Sequence, residues 1–80
     1  MAIEFRKKTV LFTGNVAVED AEPLLQWLQG KTGVRVDLSI CTHVHPANVQ
    51  VLLAAGVAVS AWPIETGLRD WLQTVLPSMT

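Results

Sequence analysis

Between Val34 and Ile40 apolar and polar residues alternate without a break, Val34, Val36, Leu38 and Ile40 against Arg35, Asp37 and Ser39. That two-residue period is the mark of a strand with one buried face. Just beyond it, His45-Pro46 is a helix start, because proline at the first helical position gives up only an N–H that has no partner there. The helix runs from about Pro46 to Ala55, with Val49, Leu52 and Leu53 as its buried face and Gly56 placed as a C-terminal cap. Val57-Ala58-Val59-Ser60-Ala61-Trp62 then reads as a short buried strand closed by Pro63. Strand, helix and strand in this order imply a parallel, right-handed crossover, and so an α/β chain.

The flanking segments extend the same alternation. Ile3 to Thr13 carries Ile3, Phe5, Thr9, Val10 and Phe12 with a basic break at Arg6-Lys7-Lys8, which predicts one or two strands ending at Gly14-Asn15. Glu19-Asp20-Ala21-Glu22-Pro23 forms an acidic first helical turn, Ala21, Leu24, Leu25 and Leu28 make one apolar stripe, and Gly30 stops the helix. Leu68, Trp71, Leu72 and Val75 repeat that spacing between Thr66-Gly67 and Pro77. The expected architecture is a single α/β domain over residues 1–80, in the order β-α-β-α-β-α: a small mixed sheet of about four strands with three helices packed on one face. The other sheet face, or an edge, is left for a partner.

Composition narrows the functional classes. Half the residues are hydrophobic, which excludes intrinsic disorder. A formal net charge of −1 supplies no general attraction for nucleic acid, so no nucleic-acid partner is expected. The longest apolar stretch, Val49 to Trp62, is interrupted by Gln50, Gly56 and Ser60 and is a poor membrane span. The first residues offer no apolar leader segment, which points to a cytoplasmic protein. Cys41 is the only cysteine, so neither an internal disulfide nor a four-cysteine metal site can form. There is no glycine-rich phosphate loop, and no cofactor is expected.

The run Val36-Asp37-Leu38-Ser39, followed at fixed distance by Val49-Gln50-Val51-Leu52-Leu53, resembles the signature of STAS domains, the module of bacterial anti-anti-sigma factors and of sulfate transporter tails. In that family a strand ending in Asp-Leu-Ser leads to Asp-Ser-Ser-Gly and a helix beginning Leu-Gly-Val-Leu-Leu. Leu11-Phe12-Thr13-Gly14-Asn15-Val16, with the helix at Glu19, is similar to the family's opening strand and first helix. The family's Asp-Ser-Ser-Gly falls on His45-Pro46-Ala47-Asn48, so its phosphoacceptor serine falls on Ala47, which has no hydroxyl. The resemblance implies a non-catalytic, regulatory protein–protein interaction module without the usual phosphorylation switch. Its partner, by family analogy, is an anti-sigma-like kinase or an ABC-type ATPase, and its recognition surface is Thr42, His43, His45, Pro46, Ala47 and Asn48.

Two readings stand beside this one. His43 and His45 point the same way in an extended segment, and with Cys41 or Asp37 near them they could share a metal ion, or build a thiol-dependent site, within the chain or across a homodimer. Against it, a metal needs three or four converging ligands, and His45 is equally placed to cap the following helix. Of the three tryptophans, Trp71 lies on an apolar stripe and is expected in the core, and Trp62, just before the strand-closing proline, is expected to close the sheet. Trp27 sits off the centre of its stripe and is the candidate aromatic anchor of a contact surface.

Overall fold

The structure, a computed structural model, describes residues 2–76. β1 (Ile3–Phe5) and β2 (Thr9–Val16) form a hairpin around Arg6-Lys7-Lys8. A 3-10 turn, Val18–Asp20, leads into α1 (Ala21–Leu28), followed by β3 (Arg35–Val44), α2 (Pro46–Ala54), β4 (Ala58–Ala61) and α3 (Thr66–Val75). The strands make one mixed sheet in the order β1-β2-β3-β4, antiparallel at the hairpin and parallel from β2 to β4. Both crossovers step in the same direction across the sheet, so right-handed connections put α1 and α2 on one face. The fold is the α/β arrangement expected from the sequence, with two strands where Ile3 to Thr13 left one or two.

Burial follows from that layering. Val10, Phe12 and Val16 of β2, Val36, Leu38 and Val44 of β3 and Val59 of β4 meet Leu24 and Leu28 of α1, Val49 and Leu52 of α2 and Leu72 of α3 in one buried cluster. Each such side chain contributes roughly 1.5–3 kcal/mol when fully enclosed. Helix ends are fixed as the sequence suggests: Gly56 at φ 69° lets its own N–H reach Leu53 O (3.1 Å) and the Val57 N–H reach Leu52 O (3.0 Å). At α3 the cap is Glu65, whose carboxylate accepts from Gly67 N (2.8 Å) and Leu68 N (3.2 Å).

The strict alternation of β3 breaks. β3 has ten residues against the eight of β2, and the surplus is absorbed in two bulges. Leu11 pairs with Asp37 but Thr13 with Ile40, and Gly14 pairs with Cys41 but Asn15 with His43. Gly14 itself lies at φ 59°, a left-handed conformation that favours glycine, opposite the second bulge. Leu38 therefore points inward while Ile40 lies 54% exposed, and Cys41 takes the inward place at 3%. The helix stripes are narrower than expected too. Leu25 and Leu53 flank their helices at about 40% exposure, and Trp71, at 39%, is not in the core, because the inward line of α3 runs through half-buried Leu68 and buried Leu72 toward Leu76 just past its end. Trp62, half-buried just after β4, packs against the core.

Candidate functional site

The parallel strands put the loops after β2, β3 and β4 at one end of the sheet, the usual location of recognition in open α/β folds. At this rim α2 begins. His45 holds an extended backbone at φ −68°, ψ 139°, its backbone N–H donates to Val16 O (2.8 Å), and its Nδ1 accepts from Ala47 N (3.0 Å). His45 is thus the N-cap of α2, tying the helix start to the end of β2.

Behind the cap lies Asn48, fully buried. Its Nδ2 donates to Ala17 O (2.8 Å), while its backbone N–H donates to His45 O (2.9 Å). Ala17 is held again by Asp20, which is itself buried: the Ala17 N–H donates to Asp20 Oδ2 (3.0 Å) and the Asp20 N–H to Ala17 O (3.1 Å). The loop after β2 and the first turn of α2 are therefore one clamped unit. Among the described residues Asn48 Oδ1 is the one buried side-chain oxygen or nitrogen without a hydrogen-bond partner.

The residues singled out from the sequence fall into separate groups. Thr42, His43, His45 and Pro46 are exposed along the rim, and Ala47 is half-buried among them on the first turn of α2. Asn48 belongs to the same turn but faces inward, so it shapes this surface from beneath and presents nothing to a partner. Trp27 is elsewhere. It stacks on Phe5 with ring centroids 5.2 Å apart, packs against the core and carries Lys31 Nζ 4.4 Å above its ring, at the opposite end of the sheet. It is a peripheral core residue, and its half-buried ring is joined to neither His45 nor Ala47.

The metal or thiol reading does not assemble. The bulge turns Cys41 into the core, with its Sγ 3.4 Å from His43 O, while the side chains of His43 and His45 are exposed. Asp37 is engaged by Ser39, accepting from its N–H (2.9 Å) and its Oγ–H (2.7 Å). Among the described residues no three His, Cys, Asp or Glu side chains come close enough to hold a metal ion. Burial pushes the Cys41 thiol up from 9.0 to about 11, a backbone hydrogen bond at His43 offsetting part of the rise. Folded protein at pH 8 is accordingly expected to react with a thiol reagent on the order of 100-fold more slowly than urea-unfolded protein, from the thiolate fraction alone. Because the folded pKa is the raised one, Cys41 leaves stability intact below about pH 9 and erodes it as pH rises toward 11. A thiol-reactivity time course with and without urea checks the first statement, and equal rates would remove it.

The Asp20–Ala17–Asn48 clamp escaped sequence reasoning. Its only signal was an asparagine set one turn before Leu52, on the side of the helix that also carries Val49. No known family model matches the chain, and no curated protein matches it.

Proposed function

We propose that this chain is a non-catalytic protein–protein interaction module of anti-anti-sigma, STAS-like type, in which the rim from Thr42 to Ala47 is the surface read by a regulatory partner. The observation that carries this reading is the start of α2, where a half-buried Ala47 and an exposed His45 and Pro46 stand at the end of the parallel strands, backed by the Asn48 clamp. A surface held from beneath loses little side-chain freedom on binding, which favours recognition by shape. The resemblance of Asp37-Leu38-Ser39 and of the α2 segment to the family signature supports the same view, and so does the α/β order of the elements. With alanine at the position of the family's phosphoacceptor, the module binds its partner constitutively. An anti-sigma-like kinase or an ABC-type ATPase is the partner class this reading names. No helix among the described residues is long and apolar enough to cross a membrane.

The test uses the full chain as bait. Wild type is expected to retain a cellular partner that Ala47→Arg and His45→Glu both lose by at least about 30-fold in affinity, the scale of a central interface residue. Ile40→Arg, away from the rim on the open sheet face, is expected to retain it. Retention of the same partner by both rim variants would place the recognition surface elsewhere.

A further inference from the structure

β3 outruns its neighbour on one side. β2 accompanies it to the end, with Val16 opposite Val44, but β4 pairs only with Arg35, Val36 and Asp37 and leaves at Ala61. From Leu38 to Val44 no strand lies on the β4 side, and among the described residues no loop supplies a backbone hydrogen bond to this run. Two of its groups are met from within β3: the Ser39 N–H donates to Asp37 Oδ1 (2.9 Å), and His43 O accepts from the Cys41 thiol (3.4 Å). Ile40-Cys41-Thr42-His43-Val44 is left as an open strand edge, a row of main-chain donors and acceptors that a further strand can pair with.

The sheet's other edges are guarded in the usual ways, by shortness, charge or proline. β1 is three residues long, contains Glu4 and runs into Arg6-Lys7-Lys8, and β4 is four residues long and is followed closely by Pro63. Ile40 to Val44 contains no Asp, Glu, Lys, Arg or Pro. Its one guard is the pair of bulges, which bends β3 and limits an added strand to this short run. Apolar side chains border it. Ile64 at 82% and Ile40 at 54% are the most exposed large apolar residues among those described. Ile40 stands on the run itself, and Ile64 is three residues past Ala61, within about 11 Å of the point where β4 leaves β3.

We propose that the open edge of β3 takes up an extended, uncharged segment of a partner protein as a further strand, with β-branched or other apolar side chains beside Ile40 and Ile64. The edge itself selects this class of occupant, because a row of backbone N–H and C=O groups is matched by an extended polypeptide and by no lipid or nucleic-acid backbone. The absence of charge along Ile40 to Val44 sets the composition of the segment. The proposal does not rest on the reading of the α2 turn: it shares Thr42 and His43 with that rim but uses their main chain, and Ile40 lies outside it.

The probe is a fluorescent peptide of about eight residues, alternating threonine and valine, long enough to cover the run as one strand, titrated with the full chain. A dissociation constant below about 500 µM is expected. A twin peptide N-methylated at every residue keeps the side chains but has no N–H to donate, and is expected to bind at least about tenfold more weakly. Ile40→Arg, which puts a charge on the edge, is expected to weaken binding by about tenfold or more. Ile64→Asp serves as a second variant if Ile40→Arg is not folded by circular dichroism. Amide hydrogen exchange is expected to slow on peptide binding at Ile40 to Val44 and not along β1 or β4. Absence of binding, equal binding of the methylated twin, unchanged affinity in the folded variants, or protection along β1 or β4 in place of β3 overturns the proposal. A dimer of the chain alone, detected by sedimentation and not dispersed by the peptide, assigns the edge to a second copy and overturns it as well.

Discussion

Asn48→Asp is expected to be less stable than the wild type by about 3 kcal/mol at pH 7 and to regain most of that loss on acidification. The amide is fully buried and its Nδ2 donates to Ala17 O. A carboxylate in its place would turn a donor into a second acceptor facing that carbonyl, and would bring a charge out of water at a cost of several kcal/mol. The N-terminus of α2 favours a negative charge by up to about 2 kcal/mol, too little to cancel this. Burial and repulsion would therefore raise the carboxyl's pKa in the folded state. Once protonated, the new side chain can again donate to Ala17 O. The sign follows: the folded pKa exceeds the unfolded value of about 3.9, so stability is recovered as pH falls below the folded pKa and lost as pH rises through it. Urea denaturation of wild type and variant at pH 7 and pH 5 measures the difference. A variant as stable as the wild type at pH 7 would mean that the space around Asn48 is open to water. For a chain of this size, with a total stability of about 4–12 kcal/mol, the predicted loss is large.

The second large effect separates the bulged β3 from a regular one. Leu38→Ala is expected to cost about 2–5 kcal/mol, and Ile40→Ala less than about 0.5 kcal/mol. Uninterrupted alternation would put both side chains in the core and give both substitutions similar costs. In the structure Leu38 is fully buried among the helices while Ile40 stands 54% exposed on the open face. Thermal unfolding followed by circular dichroism distinguishes the two cases, and comparable losses for both variants would remove the first bulge from β3.

What could be read in the chain beforehand was whatever a local pattern specifies. The α2 start at Pro46, the Gly56 cap and the short apolar strand after it each depend on neighbours within a few residues, and all are present. The bulges were not legible, because they arise from register against β2, and nothing inside Val34–Ile40 marks that ten residues must pair with eight. For the same reason Cys41 looked like a neighbour of His43 in the sequence and faces the opposite way in space. The helix stripes gave the right faces but not their width: Leu25 and Trp71 fall at the margin, where the depth of packing depends on the neighbouring element. At the rim, His45 as a cap was foreseeable from His45-Pro46, whereas the role of Asn48 depends on Ala17, a partner 31 residues away.

That separation in sequence governs when the rim exists at all. The hairpin of β1 and β2 needs only local closure, whereas the bond from Asn48 to Ala17 closes a loop that contains all of α1 and β3. A chain still emerging from synthesis, or one partly unwound, carries the same His45, Pro46 and Ala47 without the shape they take here. The shape of this rim is thus a property of the finished three-dimensional arrangement and not of its local sequence alone.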